Sequence, residues 1–212
     1  MKNNKKGKYH AKPNKYYEDK PGNYNPSFGV RLSMWYFDQC DPKKCSGMQL
    51  KQKGLLTTLN KSAKFNGIVL TPKAKKYVSP EDAEIITSCG IAVIDCSWAL
   101  FDSVSVKCNK TNERLLPLCK AANPVNYGKD CKLNCAEALA GALWLAGFQE
   151  HAETIMGHFK YGAAFFAVNE FHFDKYAECK TSDEMKEGEA WVAAELARER
   201  EERRNAEIDF GP

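Results

Sequence analysis

No CxxC pair occurs in this chain, only four histidines are present, and residues 43–76 contain not one Asp or Glu. The first absence argues against the common zinc ribbons and thioredoxin-like redox motifs. Cys40/Cys45 and Cys131/Cys135, with His151 and His158, offer zinc-binding residue types, but at spacings foreign to the usual tetrahedral sites. Long apolar runs are also missing. The longest uncharged helical run, Ala138 to Phe148, falls well short of the roughly 20 residues that a bilayer span requires. The lysine-rich start, MKNNKKGKYHAKPNKYYEDK, lacks the apolar core of a secretory leader. We therefore expect neither secretion nor a membrane-spanning segment. The nine cysteines, an odd number with several inside apolar segments, suit reduced thiols better than a disulfide framework.

The 212 residues, 43% of them hydrophobic, suffice for one good core or two small ones packed together. Net charge is a modest +4, but its distribution is uneven. Residues 43–76 carry nine lysines without an acid, and residues 1–20 carry seven more against Glu18 and Asp19. A one-signed stretch inside the folded part is the electrostatic footprint of a phosphate-bearing partner, with nucleic acid the first reading and a solvated face the other. From Glu178 to Glu207, acids alternate with arginines.

Gly90 to Trp98 read GIAVIDCSW, an apolar run that stops at an acid, a thiol, a hydroxyl and an indole. Buried strands of open α/β sheets deliver reactive side chains to a cleft at their carboxyl ends in this way. Asp95 and Trp98 are the first candidates for chemistry. Asp95 reads equally as a helix cap, and Trp98 as core.

Along the chain, residues 1–26 read as a disordered basic arm. Val30 to Phe37 has strand composition and runs into a polar loop, DQCDPKKCSG. Gly67 to Leu70 is a second strand, ending at Thr71 and Pro72. Ser79-Pro80-Glu81-Asp82 supplies an N-cap, a proline at the first helical position and two acids, which predicts a helix to about Cys89. Ile91 to Ile94 is a third strand, and this rhythm argues for a parallel α/β sheet. After Arg114 comes LLPLCKAANPVNYG, too apolar for an idle surface loop. Helices are predicted over 134–148, 150–159, 162–176 and 183–204, the first with Asn134 and Glu137 as a capping box. The boundaries are an arm over 1–26, an α/β part over 27–115, an all-helical part over 116–196 and a charged tail over 197–212.

Four segments, DPKKCSG (41–47), LTP (70–72), DCSW (95–98) and LPLCKAANPVNYG (116–128), stand in an order that resembles the small-subunit ribosomal RNA aminocarboxypropyltransferases of ribosome biogenesis. The resemblance covers about residues 29–180. It implies an α/β fold with an N-terminal parallel sheet and an all-helical C-terminal half, SPOUT-like with a deep trefoil knot. It further implies S-adenosyl-L-methionine as the cofactor and transfer of its 3-amino-3-carboxypropyl group to N3 of an N1-methylpseudouridine in small-subunit rRNA, releasing methylthioadenosine. An inactive rRNA-binding assembly factor and a SPOUT RNA methyltransferase are the two alternatives.

By the same resemblance Trp98 lines the adenine and the sulfonium methyl, facing Leu70 and Pro72 across the adenine slot. Leu116 and Cys131 contact the adenine edge through their backbones, Ile94 adds a backbone contact, and Ser46 holds the ribose. Asn134 and the Cys135 backbone receive the carboxylate at a helix N-terminus, although this pair departs from the hydroxyl-bearing residues the family pattern suggests. Asp95 is the candidate catalytic residue, as a general base, an electrostatic stabiliser or a positioning group. Lys43, Lys44, Lys51, Lys53, Lys73, Lys75 and Lys76 become candidate phosphate contacts. Arg114 reads equally as another such contact or as a structural ion pair. The partners implied are small-subunit rRNA and the pre-40S particle, without a membrane. We expect a monomer in the cytoplasm, with nuclear import a second reading of the basic arm.

Overall fold

The computed structural model describes residues 28–37, 41, 43–96 and 106–209, with side chains through residue 206. Trp98, Cys40 and the arm over 1–26 lie outside the described residues. A five-stranded parallel sheet runs in the order β2-β1-β5-β4-β7, with β1 at Leu32–Tyr36, β2 at Leu56–Leu59, β4 at Ile68–Leu70, β5 at Ile91–Asp95 and β7 at Glu113–Arg114. Two further short strands, β3 (Lys64–Phe65) and β6 (Lys107–Cys108), pair with each other. The helices are α1 (Ser46–Gln52), α2 (Ala83–Cys89), α3 (Cys135–Leu145), α4 (Gln149–Met156), α5 (Gly162–Ala177) and α6 (Ser182–Asp209). The result is a mixed α/β architecture with a parallel sheet and a helical second half. No helix among the described residues is long and apolar enough to cross a membrane.

Strand periodicity sorts the core into two clusters. Leu32 and Met34 of β1, Ile68 and Leu70 of β4, and Ile91 and Val93 of β5 pack with the helices. Their neighbours Trp35, Val69 and Ala92 face the other way and meet Leu59 and Phe65, where Trp35 and Phe65 make an edge contact at 5.9 Å. Asp95 is two residues on from Val93 and so falls on the helical side of the sheet.

Helix α3 is apolar all round, which suits a helix enclosed on every side. Leu139, Ala140, Ala142 and Leu143 have no exposed surface. Burying each such leucine is worth about 1.5–3 kcal/mol. Close approach is achieved by small residues. A β-carbon on Gly47 of α1 would lie 2.3 Å from Met34 Sδ and 3.4 Å from Cys135 Cβ, so any larger residue there would force the Met34 side chain to move. Gly90 turns from α2 into β5 with φ +86°, the left-handed region open to glycine.

Several boundaries differ from the sequence-based expectations. The polar loop predicted after β1 gives way to α1 at Ser46, whose N-cap is Cys45, a residue outside the usual capping set. Strand β2, LTTL, was not predicted, since its threonines are half-buried and weaken the apolar signal. The helix after Ser79 opens as a 3-10 turn over Pro80–Asp82 before α2 begins. The last helix, expected to about residue 204, runs on to Asp209, and acids and arginines recur along it at helical spacing, as in Arg198–Glu202 at 3.7 Å and Arg203–Glu199 at 3.3 Å.

Candidate active site at the carboxyl edge of the sheet

The carboxyl ends of β4 and β5, the N-termini of α1 and α3, and the 115–134 connection line a cleft of about 820 Å³. That volume suits a small-molecule ligand of several tens of atoms, and the position is where open α/β sheets bind ligands. Among its lining residues are Ser46, Leu70, Pro72, Ile94, Asp95, Leu116, Cys131, Asn134 and Cys135. Lys43 and Lys44 stand at its mouth.

Asp95 is 6% exposed, and both of its oxygens accept thiol hydrogens. Cys45 donates to Oδ2 at 3.2 Å and Cys135 to Oδ1 at 3.4 Å. Cys45 also caps α1, its sulfur accepting the Met48 N–H at 3.4 Å. The Cys135 thiol is held well above the ordinary thiol range by its hydrogen bond with Cys45, by burial and by the negative charge of Asp95. Burial likewise raises Cys96 and Cys131. These three thiols stay protonated and are poor nucleophiles, whereas the hydrogen bond from Cys135 draws Cys45 below the ordinary thiol range. Asp95, on which both thiols converge, is the acid–base candidate in this part of the cleft.

Asn134 caps α3 as predicted, accepting the Glu137 N–H at 3.0 Å while its own N–H donates to Glu137 at 2.9 Å. Its amide NH2 donates to the Tyr161 hydroxyl at 2.7 Å. Burial pushes that phenol up to about 12, so Tyr161 remains a neutral donor at the cleft wall. Ser46 Oγ accepts the Ala136 N–H at 3.1 Å, joining the starts of α1 and α3. The Cys135 N–H has no partner among the described residues and opens the positive end of the α3 dipole toward the cleft. The Cys131 N–H donates to the Cys119 carbonyl at 2.9 Å, which leaves its carbonyl, not its N–H, for a ligand. Cys131 is the only non-glycine residue with positive φ among those described, at 57°.

The 115–134 connection is held from three helices. Fully buried Glu137 of α3 accepts the backbone N–H groups of Ala122 and Asn123, both at 2.7 Å, and the Asn123 amide at 2.6 Å. Asn169 of α5 bonds both backbone groups of Lys120, at 2.7 and 2.9 Å. Glu189 of α6 accepts Leu118 N–H at 2.7 Å and the Tyr77 hydroxyl at 2.5 Å, and Tyr176 donates to Leu118 O at 2.9 Å. The capping box flagged Glu137 only as a helix signal. Its role in holding the loop, like those of Cys45, Tyr161 and Glu189, depends on partners remote in sequence.

The remaining candidates are spread. Lys73, Lys75 and Lys76 are exposed on the loop after β4. Lys51 and Lys53 sit at the far end of α1, roughly 10 Å along its axis from the cleft. Lys51 donates to Thr58 at 2.9 Å, so its ammonium is engaged with β2. Arg114 is a structural residue. Its side chain, 9% exposed, binds Asp82 through Nη2 at 2.7 Å and Nε at 2.9 and 3.0 Å, and Nη1 donates to the Thr111 and Glu113 carbonyls. No group of three or more His, Cys, Asp or Glu among the described residues is arranged to hold a metal ion.

Two family models match. One, described as "Ribosome biogenesis protein, C-terminal", covers residues 68–192. The other, a "possible Fer4-like domain in RNase L inhibitor", covers residues 30–64. That segment contains two cysteines, Cys40 and Cys45, whereas a four-iron cluster takes four thiolates. Since Cys45 is bound to Asp95, these residues do not fit such a cluster.

Among curated relatives, the 18S rRNA aminocarboxypropyltransferase of Saccharomyces cerevisiae is 41% identical over 84% of this chain and 57% of its own length. That of Schizosaccharomyces pombe is 39% identical over 90% of this chain and 66% of its own length, so the chain spans about three fifths of these two relatives. The 16S rRNA aminocarboxypropyltransferase of Methanosphaera stadtmanae is 40% identical over 74% of this chain and 94% of its length. A solved structure, the SAM-dependent rRNA:acp-transferase Tsr3 from Vulcanisaeta distributa, superposes with a TM-score of 0.66 at 29% identity, covering 80% of this chain and 99% of that one. By these matches the chain belongs to the ribosomal RNA aminocarboxypropyltransferase family.

Proposed function

We propose that this chain transfers the 3-amino-3-carboxypropyl group of S-adenosylmethionine to N3 of an N1-methylpseudouridine in small-subunit rRNA, releasing methylthioadenosine, late in ribosomal subunit maturation. The observation that carries this reading is a buried carboxylate, Asp95, held by two thiols at the carboxyl edge of the sheet and facing the N-terminus of α3 across one enclosed cleft. The names of the relatives support the substrate class.

The residues fit the donor. Leu70, Pro72 and Leu116 form an apolar slot suited to adenine, with the Ile94 backbone and the Cys131 carbonyl along it. Ser46, whose oxygen already accepts from Ala136, retains its hydroxyl hydrogen for a ribose oxygen. The Cys135 N–H and the second N–H of the Asn134 amide are the donors for the carboxylate. Trp98, on the resemblance alone, is the wall for the sulfonium methyl, where an indole face attracts a cation.

When bound, S-adenosylmethionine supplies an activated carbon γ to its carboxylate. The enzyme's task is to position that carbon, rather than the methyl, in line with the nucleophile. Asp95 takes the N3 proton as the N3–C bond forms and the C–S bond breaks, with the sulfur keeping the electron pair. The two thiols fix the orientation of the group at the cleft wall. A positioned base contributes about 10²- to 10⁴-fold.

The reading extends to a SPOUT-type trefoil knot, supported by the parallel sheet and by the largely buried 114–123 stretch, which α3, α5 and α6 hold by hydrogen bonds. It also takes the chain as a monomer that acts on the pre-40S particle in the cytoplasm. The restriction of exposed large hydrophobics among the described residues to Val125, Tyr127, Phe171 and Trp191 supports the first of these. Lys43, Lys44, Lys73, Lys75 and Lys76, with Lys51 and Lys53 farther along α1, then contact phosphates.

The test is incubation of the protein with S-adenosylmethionine and an rRNA hairpin carrying N1-methylpseudouridine. Methylthioadenosine with an aminocarboxypropyl mass on the RNA is the expected outcome. S-adenosylhomocysteine would instead mark a methyltransferase, and RNA binding without either product an assembly factor.

A further inference from the structure

The loop over 121–128 presents two large apolar side chains to solvent at the rim of the cleft. Val125 is 82% exposed while lining the opening, and Tyr127, two residues on, is 63% exposed. Isolated exposed hydrophobics need no explanation, but a pair on one short loop beside a cleft does.

The loop itself is rigid. Buried Glu137 fixes Ala122 and Asn123, Asn126 N–H donates to Asn123 O at 3.1 Å, and Gly128 N–H closes onto Ala121 O at 2.7 Å. None of these bonds uses the Val125 or Tyr127 side chain. The Tyr127 hydroxyl has no hydrogen-bond partner among the described residues. The ring is thus held out by a fixed backbone, with only two side-chain torsions left to order on binding. Exposed Lys129 and Lys132 follow on the same connection, and Lys43 and Lys44 stand across the mouth.

A uridine whose N3 must reach Asp95 cannot remain paired or stacked, and extruding it leaves its neighbours with bare faces. An aromatic ring beside the entrance covers one such face whatever its sequence. We infer that Tyr127, flanked by Val125, is the stacking platform for a nucleobase adjacent to the target uridine. This rests on the function proposed above and adds a positioning residue to it.

The experiment uses an rRNA hairpin with 2-aminopurine placed on either side of the target, since stacking quenches that base. The parent and Tyr127→Phe are expected to quench one of the two probes. Tyr127→Ala should leave both bright and weaken RNA binding about tenfold. Its affinity for S-adenosylmethionine should match the parent, which shows that the cleft is intact. Equal quenching and equal RNA affinity in Tyr127→Ala would overturn the inference. Failure of the parent to release methylthioadenosine would sink the proposed reaction instead, while the quenching still reports on the platform.

Discussion

Cys45 donates its thiol to the Asp95 carboxylate at 3.2 Å across 50 residues of sequence. A sulfur that caps α1 is thereby tied to the last residue of β5, and Cys135 at the start of α3 reaches the other oxygen of the same carboxylate. Three elements meet on one acid, so its orientation is a property of the assembled fold and not of the DCSW segment alone.

Removing one thiol donor should misplace the carboxylate without emptying the cleft. Cys45→Ala is expected to lower kcat about tenfold with little change in KM for S-adenosylmethionine, since a hydrogen bond to a charged group is worth about 1.5–3 kcal/mol. Cys45→Ser, which keeps a donor, should recover most of the loss. Asp95→Asn should fall furthest, about 10²- to 10⁴-fold in kcat. Steady-state kinetics of the three variants decides the matter, and equal kcat in Cys45→Ala and parent would refute the positioning role.

Glu137 is a second buried carboxylate, with four donors arranged around it. In Glu137→Gln the new amide NH2 would confront donors where an oxygen stood. We expect a stability loss of at least about 3 kcal/mol by urea denaturation, as buried donors are left unsatisfied. Amide hydrogen exchange at Ala122 and Asn123 should accelerate more than in the α5–α6 pair. Unchanged exchange at those two amides would show that the loop is held by other contacts.

The Arg114–Asp82 pair is almost fully enclosed, at 9% and 2% side-chain exposure. Truncation to Asp82→Ala strands a buried guanidinium, and a loss of about 3–5 kcal/mol is expected. A measured loss below about 1 kcal/mol would mean that the Thr111 and Glu113 carbonyls satisfy Arg114 alone.

His172 is 1% exposed and neither ring nitrogen has a partner among the described residues. Burial, followed by the Lys120 charge, holds its pKa below the free value of 6.5. A depressed folded-state value means that the unfolded chain binds the proton more readily. Stability is therefore full above pH 6.5 and declines as pH falls from there toward the lower folded value. Urea midpoints measured from pH 7.5 down to 5.5 should drop more in the parent than in His172→Leu. Parallel curves would show that His172 is not the group responsible.

Much of the site was legible in the sequence because strand ends and helix starts leave local marks. The apolar run ending at Asp95 located β5, and Asn134 with Glu137 located the start of α3. These marks are short-range, since a cap or a strand end is decided by the few residues beside it. Helix α1 was missed because its cap is a thiol, and β2 because its threonines dilute the apolar alternation. The Arg114 reading was open, and Lys51 was read only as a phosphate contact, because a charge in a sequence does not say which neighbour the fold will give it. The structure gave Lys51 to Thr58 and Arg114 to Asp82.

From its sequence alone this protein is an α/β chain with an acid at a strand end, a capped helix behind it and a lysine-rich stretch for a phosphate partner. These follow from periodicity, capping chemistry and charge, all readable along the chain. Only the tertiary structure decided that Cys45 and Cys135 share Asp95, that Glu137 holds the cleft loop as well as its own helix, and that Tyr127 stands out at the rim. Such relationships join residues tens of positions apart, and their geometry comes into being only when the packed elements bring them together.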